Sequence, residues 1–157
     1  MFRFGIKSGV FRKRVQMSDA AKQTILVVED YKDSLEMIRF LLEDLGYRIL
    51  EAQNGKQALE LASRQTPDLV LTDFNLPDVD GTTLIKRLRK LSAKMSRVPV
   101  IMLTARDPDE VYEMARAAGC SAFLTKPVSF VVLEKTINAL LAETKELNES
   151  SVNGVSH

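Results

Sequence analysis

The chain has 157 residues, with 22 Lys+Arg against 21 Asp+Glu, 45% apolar residues, one His and one Cys. That balance suits one globular domain with tails, and no apolar run approaches the roughly 20 residues of a membrane span. The lone Cys120 excludes a disulfide framework or a cysteine-based zinc site, His157 at the chain's end excludes a histidine-centred triad, and a net charge of +1 gives no global case for nucleic-acid binding.

The charge is unevenly spread. Residues 1–16 carry Arg3, Lys7, Arg12, Lys13 and Arg14 and no acid, and without them 17 basic residues face 21 acidic ones. Residues 1–23 read as a basic, disordered leader, too broken in its apolar stretches for a secretory signal. Met17 offers a second possible start within it.

From Thr24 to about Thr144 short apolar runs alternate five times with amphipathic stretches. ILVV (25–28) precedes Leu35, Ile38, Leu41, Leu42 and Leu45 at helical spacing, stopped by Gly46. The weaker YRILEA (47–52), which alternates as an edge strand does, precedes a helix opening near Asn54-Gly55 and running to about Arg64. DLVLTD (68–73) is followed by Leu84, Ile85, Leu88 and Leu91, and VPVIMLTA (98–105) by Val111, Met114, Ala115 and Ala118, closed by Gly119. AFLT (122–125) leads, after a Ser129 cap, to Leu133, Ile137, Leu140 and Leu141. Apolar runs of this kind belong to strands buried on both faces, and the helices between them are the crossovers that a parallel sheet requires. Five such units in about 120 residues predict a doubly wound α/β sheet with helices on both faces; a barrel needs eight. Residues 145–157 are polar and small and read as a solvated tail.

In open α/β sheets ligands bind beyond the carboxyl ends of the strands. Glu29 and Asp30 follow the first strand, Asp73 ends the third, Thr104-Ala105 the fourth and Lys126-Pro127 the fifth. Three carboxylates, a hydroxyl and an ammonium are thereby delivered to one edge. The first loop, EDYKDS, has no glycine and two acids; no GxGxxG or GxxxxGK[ST] occurs, so dinucleotide and P-loop functions are not expected. Two like charges about 4 Å apart repel by roughly 4 kcal/mol at an effective dielectric near 20. Three such pairs would rival a domain's whole stability of about 5–15 kcal/mol. Either the acids are farther apart, or one is protonated, or a divalent cation sits among them, and an oxygen-only ligand set suits Mg²⁺. DFNLPDVDG (73–81) fails as a calcium loop, since Pro77, Asp78 and Leu84 fall where that loop needs a ligand, a glycine and a glutamate.

The segments VVED (27–30), DLVLTDFNLPDVDG (68–81), VIMLTA (100–105) and FLTKP (123–127) together resemble the receiver domain of two-component response regulators, over about residues 24–144. The resemblance implies the flavodoxin-like strand order 2-1-3-4-5. It implies that Asp73 is the phosphoacceptor, attacking the phosphohistidine of a sensor histidine kinase or histidine phosphotransfer protein. Mg²⁺ would be held by Glu29 (through a water), Asp30, Asp73 and the main-chain carbonyl of Asn75, and Lys126 would pair with a phosphoryl oxygen, next to a cis Lys126-Pro127 peptide. Thr104 and Phe123 would be the switch, altering the face of helix four, strand five and helix five, and the small Ala105 would leave water access to the acyl phosphate.

Taken singly, each of these residues has an ordinary reading: a capping acid, a structural hydroxyl, a solvated lysine, a core phenylalanine. It is their conjunction that separates the functions. A stand-alone receiver, of chemotaxis-regulator type or serving as a phosphorelay intermediate or adaptor, is expected. It would be a cytoplasmic phosphoacceptor rather than a conventional enzyme, acting on a downstream protein without membrane insertion. With 13 residues after Thr144 there is no place for a fused DNA-binding module, and direct nucleic-acid binding is not expected. An Asp-nucleophile phosphatase would carry an Asp-x-Asp pair on the first strand and a cap, and a flavin carrier a hydroxyl- and glycine-rich first loop; neither pattern is present.

Overall fold

Buried apolar runs and amphipathic stretches alternate strictly along the chain, and the backbone follows them. The structure, a computed structural model, describes residues 22–153; the leader through residue 21, with Met17, and the last four residues, with His157, lie outside the described residues. Strands β1 (Thr24–Val28), β2 (Arg48–Ala52), β3 (Leu69–Asp73), β4 (Val100–Thr104) and β5 (Ala122–Thr125) alternate with helices α1 (Lys32–Asp44), α2 (Gly55–Arg64), α3 (Gly81–Arg89), α4 (Pro108–Ala118) and α5 (Phe130–Asn153). All neighbouring strands pair in parallel, in the order β2-β1-β3-β4-β5. The alternating β2 is an edge, as its pattern predicts, and the four-residue β5 is the other.

Side chains alternate across a strand, and this parity splits the core into two layers. Leu26 and Val28 of β1, Val70 of β3 and Val100 and Met102 of β4 face α2, α3 and α4, among them Ala58, Ala62, Leu84, Ile85, Leu88, Val111 and Ala115. Ile25, Val27, Leu69, Leu71, Ile101 and Leu103 face α1 and α5 through Leu35, Ile38, Leu42, Leu133, Ile137 and Leu141. Glu29 and Asp73 continue the odd-numbered parity and Thr104 the even one. The two buried acids are thus aimed toward the α1–α5 side before any tertiary contact is considered.

Helix boundaries follow local chemistry. The side chain of Asn54 caps α2 by accepting from the Gln57 N–H, and Asp80 caps α3 by accepting from the Thr83 N–H. Asp107 and Pro108 open α4, and Gly119 closes it in the left-handed conformation at φ 95°. Ser129 accepts from the Val132 N–H at 3.4 Å at the start of α5.

Three expectations need correction. α3 stops at Arg89, leaving Leu91 beyond the helix, and Met114 sits on the exposed side of α4. The stretch after Thr144 is helical through Asn153 rather than a tail. No glycine or proline interrupts residues 130–153, and Lys145, Glu146, Leu147 and Glu149 are good helix formers. The polar composition there marks a solvated helix, its residues exposed from Lys145 through Val152. Among the described residues no helix is long and apolar enough to cross a membrane.

Candidate functional site

β1 and β3 lie side by side, with β5 beyond β4, and because all the strands are parallel the residues at their carboxyl ends converge on one edge of the sheet. Carboxylate oxygens of Glu29, Asp30 and Asp73 come within 4.8 Å of one another. Glu29 and Asp73 are buried, whereas Asp30, one step into the loop, is exposed. Lys126 reaches across from the end of β5, its Nζ 3.0 Å from Asp73 Oδ2 and 3.3 Å from Glu29 Oε2. The Lys126-Pro127 peptide is cis, and the Lys126 N–H donates to the Thr104 carbonyl at 2.8 Å, tying this turn to the end of β4.

Three acids and one ammonium in a half-closed cleft set the electrostatics. Burial, reinforced by the charge of Asp73, raises the Glu29 carboxyl above its ordinary value, although the Tyr31 N–H and Lys126 oppose the shift. Burial alone would lower the Lys126 ammonium; its contacts with Asp73 and then Glu29 outweigh this and raise it. Glu29 already spends Oε1 on the Tyr31 N–H, at 3.1 Å, and Oε2 on Lys126. Glu29, Asp30 and Asp73 are the residues that could hold a cation here. Hard oxygen donors carrying excess negative charge are a fitting ligand set for Mg²⁺.

The remaining expected residues sit around this cleft. Thr104, wholly buried at the end of β4, accepts at its Oγ1 from the Arg106 N–H at 3.0 Å, so its hydroxyl is engaged with its own loop. Phe123 is half-buried on β5, opposite Met102, with its ring edge-on to Tyr112 of α4 at 5.7 Å. Ala105 is exposed. Asn75 is exposed two residues beyond Asp73 and bridges to Asp80 across a tight loop.

Two residues of this edge escape sequence reasoning. Arg106 lays its guanidinium over the Phe74 ring, 5.4 Å from the centroid, and pairs with Glu110 at 3.4 Å. Asp78 binds the start of α2. The Arg106–Glu110 pair is local, at i,i+4, but the contacts with the Phe74 ring and with the start of α2 have no local signal, since both are distant in sequence.

A sequence profile described as the response regulator receiver domain matches residues 25–138. The chain belongs to the response regulator receiver family. This receiver is 36% identical over 118 residues to the protein PilH of Pseudomonas aeruginosa, covering 75% of this chain and 97% of that one. It is 34% identical over 121 residues to the polar-differentiation response regulator DivK of Brucella anthropi, covering 77% and 98%. Among solved structures it is similar to the receiver domain of the sensor histidine kinase PA1611 of Pseudomonas aeruginosa, described with a magnesium ion coordinated in its active site cleft. There the TM-score is 0.71 and the identity 34%, covering 78% of this chain and 99% of that one. As a receiver, the chain is a signalling protein of two-component systems rather than a conventional enzyme.

Proposed function

We propose that this receiver accepts a phosphoryl group on Asp73, with Mg²⁺ bound beside it, and relays the change to a partner protein. The observation that carries the reading is the meeting of Glu29, Asp30 and Asp73 with Lys126 placed 3.0 Å from the acceptor carboxylate. A carboxylate oxygen of Asp73 forms the new O–P bond while the P–N bond of the donor phosphohistidine breaks and the imidazole leaves with the electron pair. Mg²⁺, when bound by Asp30, Asp73, the Asn75 carbonyl and, through water, Glu29, supplies charge neutralisation between the acceptor and the phosphoryl oxygens. Lys126 holds a phosphoryl oxygen as a point charge. The magnesium reported in the PA1611 cleft supports the same ion here.

The donor is a histidine kinase or histidine phosphotransfer protein. A protein donor needs an apolar footing beside the acceptor, and one exists. Met37 and Phe40 of α1 and Phe130 of α5 are exposed and line one groove, which continues past Phe130 to Pro127 and Lys126. On phosphorylation the Thr104 hydroxyl donates its proton to a phosphoryl oxygen, and Phe123 turns inward from Tyr112. The α4–β5–α5 face then changes toward its downstream protein.

Incubation with Mg²⁺ and a small phosphodonor, followed by intact mass, tests the assignment. One phosphoryl adduct is expected on the wild type, suppressed by EDTA and absent from Asp73→Asn. An adduct persisting on Asp73→Asn would overturn the choice of acceptor.

A further inference from the structure

Asp78 lies five residues beyond Asp73, exposed at the tip of the loop that carries Asn75. Both of its carboxylate oxygens are nonetheless used. Oδ1 accepts from the Gly55 N–H at 2.8 Å and Oδ2 from the Lys56 N–H at 2.9 Å. These are the first two N–H groups of α2, which have no partner inside the helix and form its positive end. Asn54 satisfies the third N–H of the same turn, that of Gln57, from within the local sequence. α2 is therefore capped twice, once by its own sequence and once from the phosphoacceptor loop.

The loop is seated as well as hydrogen-bonded. A Cβ at Gly55 would stand 2.5 Å from Val79 Cγ2, so the tip rests against bare backbone. At its root the loop is closed by the Asn75–Asp80 bridge and by the Gly81 N–H donating to the Phe74 carbonyl at 2.6 Å. A Cβ at Gly81 would lie 2.9 Å from the Asp73 carbonyl oxygen, which presses the loop's far end onto the acceptor strand. Asn75 is held between these two ties.

We propose that Asp78 is a positioning residue for the metal site: by clamping the tip of the 74–81 loop to the start of α2, it fixes the main chain at Asn75 relative to Asp73 and Asp30. This rests on the phosphoacceptor reading above and adds to it a residue that touches neither ion nor phosphate. The function of the tie is geometric. Removing it leaves the Asn75 main chain held by the root ties alone, so the direction of the carbonyl that would complete the cation's shell is less tightly fixed. Residues that orient metal ligands from behind cost about 10–100-fold in metal affinity when removed.

The test uses the full chain and compares Asp78→Ala with Asn54→Ala, which removes a cap from the same helix without touching the loop. Mg²⁺ affinity is read by calorimetric titration, and the initial phosphorylation rate with a small phosphodonor is read against Mg²⁺ concentration. Asp78→Ala is expected to weaken Mg²⁺ about tenfold, with the rate recovering to within about twofold of wild type when Mg²⁺ saturates. Asp78→Asn, which keeps one acceptor oxygen, falls between. Asn54→Ala lowers thermal stability but leaves Mg²⁺ affinity unchanged. If Asp78→Ala binds Mg²⁺ as wild type does, or if both variants weaken it equally, Asp78 is only a helix cap and the proposal fails while the phosphoacceptor reading stands. A wild type that neither binds Mg²⁺ nor forms the adduct removes both.

Discussion

Arg89, at the amino-terminal end of the sheet, is a half-buried charge and Asp73, at the carboxyl end, a buried one, and their surroundings differ in kind. The Arg89 guanidinium donates to three main-chain carbonyls, those of Met95, Val98 and Gly119, joining α3 to the approaches of β4 and β5. Burial pulls its pKa down, yet every contact it makes is favourable in the resting molecule. Asp73 instead shares its cleft with two further carboxylates and one ammonium, a group of like charges that the fold holds together and does not neutralise. Satisfied charge stabilises a fold, whereas an unbalanced cluster held by buried strands is a site waiting for a ligand. The two ends of one sheet are therefore expected to respond oppositely to losing their charge.

The largest effect belongs to the satisfied end. Arg89→Ala takes the donor from two part-buried carbonyls and one exposed one and removes the packed stem of the side chain, at a cost of about 2–4 kcal/mol. Urea denaturation measures this, and Mg²⁺ affinity should not change in the folded fraction. Arg89→Lys recovers little, because a single ammonium does not reproduce the planar fork.

Removing the charge at the other end should do the reverse. Asp73 has two carboxylate neighbours and one ammonium, so the Asp73→Asn variant sheds one net repulsion, worth up to roughly 3 kcal/mol at an effective dielectric near 20. In EDTA the variant is expected to be more stable than wild type by about 1–3 kcal/mol. Saturating Mg²⁺ should narrow or invert the gap, since the cation binds the folded wild type more strongly. A metal-free Asp73→Asn protein less stable than wild type would mean that Lys126 already balances the cluster, and the contrast between the two ends would vanish.

The sequence foretold this contrast at one end only. Acids and a lysine at strand ends are visible because strand ends are visible: an apolar run terminates, and the next residue is committed to the edge. The odd-numbered parity of Glu29 and Asp73 is implicit in the same runs. Arg89 lies in the basic stretch Lys86, Arg87, Arg89, Lys90, and nothing local separates the one half-buried guanidinium from its solvated neighbours. Its acceptors are up to 30 positions away. Asp78 is hidden for the same reason, its partners lying 22 and 23 positions upstream. Composition conceals the continuation of α5 past Thr144, since a solvated helix and a solvated coil draw on the same polar residues.

The smallest predicted effect sharpens the comparison among acids of the carboxyl edge itself. Asp80, at the start of α3, has oxygens accepting from the Thr82 hydroxyl and the Thr83 N–H and hydroxyl. The Thr82 hydroxyl first, then Thr83, hold its carboxyl below the ordinary 3.8. A carboxyl whose pKa is lower in the folded chain than in the unfolded one adds stability that is complete above the unfolded value and lost as pH falls through the folded one. Asp80→Ala should thus cost about 1 kcal/mol at neutral pH, as the loss of a cap does. That cost should shrink toward zero as the pH falls below 3.8, read by urea curves across that range. Glu29 has the opposite sign. Its carboxyl is raised above 4.5, so in metal-free buffer its contribution declines as pH rises through that value toward the folded one. Two acids on one edge of the sheet thus pull the stability profile in opposite directions, because one meets donors and the other is buried beside a second carboxylate. A cost of Asp80→Ala that stays constant into acid would place its origin in helix propensity or packing rather than in the charged cap.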